Sequence, residues 1–135
     1  MKSLCAMLVV GSLAATGLKA QEAIYPPGVT AEVHKSIQRG LLWLSRNQGN
    51  DGSWRNSGGY GSYPAAMSGL AGMAFISSGS TPTRGRYWRE VRKSVAFLLK
   101  HADGVTGLIS VPAEEGRSMY GHGFATLYLA SVYGM

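Results

Sequence analysis

A histidine and a tyrosine near the C-terminal end are the side chains best suited to acid–base chemistry. Tyr120 and His122 stand two positions apart in the segment MYGHGF. Histidine changes its charge near neutral pH, so it can act as an acid, a base or a ligand. His122 and Tyr120 are therefore the candidate catalytic residues. The alternative is a structural hydrogen bond from His122, and Ser68 occupies the equivalent place in an earlier segment.

The carboxylates stand at positions that favour turns over catalysis. Asp51 and Asp103 lie beside glycines in segments between helical stretches, a setting typical of turn formation. Glu114 and Glu115 are adjacent in a loop segment, so we expect them to point apart. Catalysis by a pair of carboxylates, which needs both groups to face one site, is not supported.

The sequence does not provide the residues that a metal site or a catalytic thiol would need. The single cysteine, Cys5, lies within the first twenty residues, and His34, His101 and His122 are scattered. A catalytic zinc site needs three protein ligands and an open position. We therefore expect no metal and no cofactor, and no Ser-His-Asp arrangement stands out.

The first twenty residues are typical of a secretory signal peptide. Residues 1–20 carry a lysine near the start, an uncharged apolar run and small residues before a plausible cut after Ala20. A membrane anchor is the alternative, but the run is diluted by Gly, Ser and Thr and is shorter than the roughly 20 residues of a spanning helix. Cleavage predicts an exported protein, periplasmic or extracellular, without a membrane span.

The remaining sequence alternates charged and uncharged helical segments after a linker at 21–29. Thr30 can cap a first helix, whose apolar stripe consists of Val33, Ile37, Leu41 and Leu44. The segment from 64 to 78 contains no charged residue, and a helix without a polar face is usually buried. A charged segment follows at 87–100, and its apolar stripe consists of Val91, Val95, Leu98 and Leu99. An almost uncharged segment follows at 119–134.

The pattern repeats after a shift of 54 positions. The shift places Trp43 on Phe97 and Gly69 on Gly123. It predicts two helical hairpins, 30–79 and 82–135. Alternating amphipathic and uncharged helices favour two concentric layers, with protein on all sides of the uncharged helices. A linear solenoid is the competing arrangement.

The stretch RGLLWLSRNQGNDGSW resembles the QW repeat of squalene and oxidosqualene cyclases, and more broadly the prenyltransferase and squalene-cyclase repeat superfamily. The positions that carry the resemblance are Arg39, Gly40, Trp43, Gln48, Gly52 and Trp54. It implies an all-α fold of the α/α-toroid type (α6/α6 barrel-like), of which two hairpins form an incomplete ring. In that family such motifs tie outer helices together, so Gln48 and Trp54 are interpreted as structural staples.

The second hairpin departs from this pattern, and the catalytic groups of the family are absent. Ala102 replaces the glutamine, and Leu108 falls near the tryptophan position. The chain has no DxDD-like run to protonate an alkene, no Asp-Cys-His zinc set and no Cys-Gly-Glu-Gln thioester element. The resemblance places His122 near a helix end that borders the central cavity of such proteins.

Three functions are consistent with these observations. The first is an exported, non-catalytic repeat protein that binds a hydrophobic, isoprenoid-like or macromolecular ligand. The second is the N-terminal part of a terpenoid cyclase or prenyltransferase-like enzyme whose catalytic residues lie downstream. The third is an assembly module, since two hairpins cannot close a ring and self-association or a protein partner would cover the open faces. The net charge of +6 is interpreted as a solvated helix face, and no nucleic-acid partner is expected.

Overall fold

A computed structural model describes residues 25–55, 62–114 and 116–135. Within these ranges the chain forms four α-helices and a short 3₁₀ turn, without a strand, which confirms the all-α prediction. The predicted signal peptide, the first part of the predicted linker and Glu115 lie outside the described residues. The elements are α1 (Ala31–Arg46), α2 (Pro64–Ser77), α3 (Trp88–Lys100), the 3₁₀ turn (Pro112–Glu114) and α4 (Ser118–Val132).

Local signals explain where these helices begin. The Thr30 hydroxyl accepts a hydrogen bond from the Val33 N–H at 3.2 Å, which caps α1. Pro64 occupies the first position of α2, where its missing N–H is not needed. The turn before α4 is also ordered locally, because Asp103 Oδ1 accepts hydrogen bonds from the N–H groups of Val105 and Thr106.

The core forms where α2 crosses α4 and α3. Gly69 and Gly72 allow the close crossing, because a Cβ on Gly69 would stand 2.7 Å from the carbonyl oxygen of Phe124 and one on Gly72 would overlap the Tyr128 ring. Tyr128 is fully buried, and its hydroxyl lies 2.9 Å from Ser94 Oγ. Burial raises the pKa of Tyr128 to about 12, although the hydrogen bond with Ser94 acts in the opposite direction.

The uncharged helices are not enclosed on all sides, and that expectation is wrong. On α4, the side chains of Met119, Tyr120 and Leu127 are exposed. The reason is the number of neighbours: α4 packs on α2 along one side, and nothing in the described part of the chain covers its far side.

The apolar stripes of the charged helices are also only partly buried. Leu41 on α1 and Leu98 on α3 lie in the core, as the periodicity predicts. Val33, Ile37 and Leu99, which belong to the same stripes, are exposed. The first hairpin therefore leaves more of its stripe uncovered than the second.

Candidate functional site

Gln48 joins the end of α1 to the start of α3. Its side-chain Nε2 donates hydrogen bonds to the carbonyl oxygens of Gly52 and Glu90, both at 3.0 Å. Ser45 adds a second link, because its hydroxyl donates to Glu90 Oε1 at 2.5 Å. Since Glu90 lies in the first turn of α3, these contacts fix the position of the second hairpin against the first.

Trp54 folds back over the end of α1. Its indole Nε1 donates to the Leu44 carbonyl oxygen at 2.8 Å, which satisfies one of the carbonyl groups left open in the last turn of a helix. The ring is buried and lies 5.8 Å from the Phe75 ring between centroids. Gly52 makes this path possible: its φ is +91°, and a Cβ there would overlap the Lys93 carbonyl.

The other three residues of the QW-like motif lie on α1. Arg39 donates to the Ser36 hydroxyl within the same helix, and a Cβ on Gly40 would meet nothing within 4 Å. Trp43 is exposed and lines a hollow of about 570 Å³ together with Trp54. Arg39 and Gly40 are therefore exposed, and of the three residues only Trp43 shares a hollow with a residue of the staple.

His122 makes a hydrogen bond to the main chain. Its Nδ1 accepts from the Ile109 N–H at 3.2 Å. Ser68, its counterpart on α2, accepts from the Trp54 N–H at 3.1 Å. In both hairpins, a side chain of the uncharged helix thus holds the backbone just after the turn. This contact is the structural role that was the alternative to catalysis.

The structure does not bring His122 and Tyr120 together. Tyr120 lines a hollow of about 450 Å³ with Tyr63, Ala66 and Arg117, and the Arg117 guanidinium donates to the Tyr63 hydroxyl. His122 lines a different hollow, of about 540 Å³. The two side chains therefore do not form one acid–base pair.

Glu114 has a role that the sequence did not indicate. It lies buried in the 3₁₀ turn, which corrects its expected place in a loop. Its Oε1 accepts hydrogen bonds from the N–H groups of Ala65 at 2.7 Å and Ala66 at 3.4 Å. The carboxylate thus caps the N-terminus of α2, where the helix dipole favours negative charge. No local signal could reveal this contact, because its partners lie 49 and 48 positions away.

The second carboxylate oxygen of Glu114 completes the junction between the uncharged helices. Oε2 is buried and has no hydrogen-bond partner among the described residues. It lies against Gly121, where a Cβ would overlap it. Burial and two N–H donors on Oε1 assign Glu114 to helix capping, at the point where α2 and α4 begin.

An apolar surface runs along the exposed side of α2 and α4, and we call it the inner face. Its members are exposed and fall at spacings of three or four positions on their helices, or at matching positions 54 apart. Neither helix contains a charged residue. A hollow of about 290 Å³ lies on the α4 part. The inner face consists of Leu70, Tyr120, Phe124 and Leu127.

Within the described ranges, no three His, Cys, Asp or Glu side chains are grouped so that they could hold a metal ion. None of the helices described is both long and apolar enough to cross a membrane.

Comparison of the chain with protein-family models, curated proteins and solved structures finds no match. Its function has therefore to be inferred from the geometry of its own residues.

Proposed function

We propose that this chain is an exported, non-catalytic helical-repeat protein of the α/α-toroid type that binds a hydrophobic ligand on its inner face. One observation carries the proposal: Leu70, Tyr120, Phe124 and Leu127 are exposed on two helices that have no charged residue. Soluble proteins rarely leave such apolar surface uncovered unless it serves binding.

The hydrogen bonds support the repeat. Asn47 Nδ2 donates to the Trp43 carbonyl oxygen at 2.7 Å, and His101 Nδ1 lies 2.8 Å from the Phe97 carbonyl oxygen. Both residues follow directly after a charged helix, and both pairs are related by the shift of 54 positions. Ser68 and His122 are also 54 positions apart and each accepts a hydrogen bond from a main-chain N–H group, although the donors Trp54 and Ile109 are 55 positions apart. Two copies of one hairpin, as in QW-repeat proteins, account for these pairs.

The composition of the inner face favours a long apolar ligand with one polar end. Aliphatic and aromatic side chains line most of it, while Arg117 and the Tyr63 hydroxyl stand at one end beside Tyr120. Pockets of this kind take up apolar ligands and use a few polar groups to set orientation. An isoprenoid-like chain with a polar head matches that description, with the head at the Arg117 end.

Binding of a neutral solvatochromic dye, and its displacement by a long-chain isoprenoid alcohol, tests the proposal. Leu127→Lys places a charge on the inner face and should weaken dye binding about tenfold, or ~1.4 kcal/mol. Leu99→Lys is the matched control, because Leu99 on α3 is 58% exposed and Leu127 is 54% exposed. Equal binding by both variants and the unmodified chain would rule out the inner face as the site.

The alternative is that the chain is the N-terminal part of a terpenoid cyclase-like enzyme, and the QW-like motif is the observation that favours it. Because the catalytic residues of such an enzyme would lie downstream of this chain, the intact mass of the native product tests this alternative, and a mass several repeats larger would support it. Turnover of squalene or an oligoprenyl diphosphate by the purified chain would contradict the non-catalytic proposal.

A further inference from the structure

The two hairpins differ in how much of the same surface is covered. Ile37 is 48% exposed, whereas Val91, its counterpart 54 positions later, is fully buried. Trp43 is 62% exposed, whereas its counterpart Phe97 is 3% exposed. The second hairpin is covered because α2 packs on α3 and α4. Positions that are buried in the second hairpin therefore have exposed counterparts in the first hairpin. We call this surface the leading face, and it consists of Ile37, Trp43 and Met67.

The opposite side of the molecule shows the reverse relation. Ala65 on α2 is fully buried, whereas Met119, its counterpart on α4, is 71% exposed. A Cβ on Gly69 would stand 2.7 Å from the Phe124 carbonyl oxygen, but a Cβ on its counterpart Gly123 would meet nothing within 4 Å. The positions of α2 that are buried against α4 thus have exposed counterparts on α4 itself. We call this surface the trailing face, and it consists of Met119, Gly123 and Thr126.

These relations determine which surface fits which. Inside the chain, the side of α2 that holds Ala65 and Gly69 packs on the side of α4 that holds Gly121 and Ala125. The trailing face holds the counterparts of Ala65 and Gly69, because Met119 and Gly123 lie 54 positions after them. The leading face holds the counterpart of Gly121, because Met67 lies 54 positions before it. We propose that a second copy of this chain docks its trailing face on the leading face, head to tail, so that the internal α2–α4 contact continues between molecules. Such an interface is heterologous, since the two faces that meet are different.

The side chains at the intermolecular crossing are larger than those at the internal one. Inside the chain, Ala65 faces Gly121, and a Cβ on Gly121 would lie 3.1 Å from the Ala65 Cβ. Between copies, the counterparts are Met119 and Met67. Two methionines keep the contact apolar and adaptable, but they hold the helices further apart than alanine and glycine do. The association is therefore weaker than the internal packing and is reversible.

The docking surfaces adjoin the proposed ligand surface. Met119 and Gly123 line the same hollow as Tyr120, Phe124 and Leu127, and Met67 lines a hollow with Leu70. The association is therefore measured without added ligand.

The residues that define the two docking faces are uncharged, and Arg55, which lines the hollow beside Trp43 and Met67, is paired with Asp51 within the chain. Added salt should therefore not dissociate the assembly as it would dissociate one held by ion pairs.

Sedimentation velocity over a series from about 1 µM to 1 mM tests the proposal, with the full chain in the form that its expression host accumulates. The average mass of the unmodified protein should rise with concentration. Met67→Lys damages only the leading face, and Gly123→Lys damages only the trailing face. Each variant alone should remain a monomer across the series.

The decisive sample is an equimolar mixture of the two variants. Met67→Lys keeps an intact trailing face and Gly123→Lys keeps an intact leading face, so the mixture should form a one-to-one dimer and stop there. Val105→Lys, in an exposed turn on neither face, should associate like the unmodified protein. Circular dichroism checks folding, and Ile37→Lys replaces Met67→Lys if the latter unfolds.

Three results would overturn the proposal. A monomeric unmodified protein at every concentration would mean that something other than a second copy covers these faces. A variant that associates on its own would mean that the interface is symmetric and uses the face left intact, and a mixture that stays monomeric while the unmodified protein associates would rule out head-to-tail contact through these two faces.

Discussion

Two side chains from outside a helix form hydrogen bonds with the unpaired backbone groups at its end. One acts at a helix N-terminus and the other at a helix C-terminus. Glu114 accepts hydrogen bonds from the first N–H groups of α2, and Trp54 donates to a carbonyl in the last turn of α1. Each group carries the polarity that the exposed helix end requires. Both come from outside the helix that they cap, so they join elements as well as ending them.

Replacing Glu114 should separate the effect of its charge from that of its acceptor oxygen. Glu114→Ala leaves the buried Ala65 N–H without a partner and should lower the free energy of unfolding by about 1–3 kcal/mol. Glu114→Gln keeps an acceptor oxygen but removes the negative charge at the α2 N-terminus, so the loss should be about 0.5–1 kcal/mol. Urea unfolding at neutral pH measures both values. If alanine were no worse than glutamine, capping could not be the role of this side chain.

Asp51 should make the free energy of unfolding depend on pH in the acid range. Burial acts to raise the pKa of Asp51, but hydrogen bonds from Arg55 and Ser53 outweigh it and lower the pKa from 3.8 to about 2. Because the folded-state pKa is the lower one, the stabilisation is present above about pH 4. It is lost as pH falls through 2. The Asp51 side chain is 46% exposed, so solvent screening keeps the contribution below about 1 kcal/mol.

Comparison of the unmodified protein with Asp51→Asn in urea, at pH 5 and at pH 2.5, measures this contribution. The difference in unfolding free energy between the two proteins should be larger at pH 5. A difference that is the same at both pH values would show that the carboxylate charge of Asp51 does not stabilise the fold.

At the scale of the elements, the two uncharged helices use glycine differently. Gly72 lies against the Tyr128 ring, and a Cβ there would overlap it, whereas the surroundings of Gly123 are open. Gly72→Ala should therefore lower the unfolding free energy by about 1–3 kcal/mol through overpacking. Gly123→Ala should raise it by up to about 1 kcal/mol through better helix propensity. Thermal unfolding of the two variants should show shifts of opposite sign, and a shared sign would contradict this account of the α2–α4 crossing.

The sequence predicted the helices well because their signals are local. Thr30, Pro64 and the apolar spacing of the charged segments lie within or next to the helices that they define. The exposed side of α2 and α4 could not be predicted, because a helix without charges has no polar side to mark. The capping contact of Glu114 also could not be predicted, since its partners belong to the other hairpin. Likewise, the spacing of apolar residues in α3 does not predict which of two neighbouring leucines is buried. Leu98 is buried, whereas Leu99 is exposed.

At the scale of the whole molecule, the two hairpins pack on each other more extensively than the helices pack within either hairpin. The second hairpin has the first as its neighbour, while the leading side of the first hairpin is uncovered in the described structure. Helix α1 is consequently the element with the least packing around its apolar stripe, since Val33 and Ile37 are exposed and only Leu41 is buried. An element of this kind opens more often than the rest of the fold.

Hydrogen exchange should report both this weakness and its removal by association. In dilute solution, the amide hydrogens of α1 should exchange faster than those of α3, because α3 buries Val91, Phe97 and Leu98. At high concentration, a second copy on the leading face should slow exchange in α1 and leave α3 unchanged. The Gly123→Lys variant provides the control, because it lacks a usable trailing face and its α1 should exchange at the same rate at both concentrations. Exchange in α1 that is as slow as in α3 in dilute solution would mean that the first hairpin does not need a neighbour on that side.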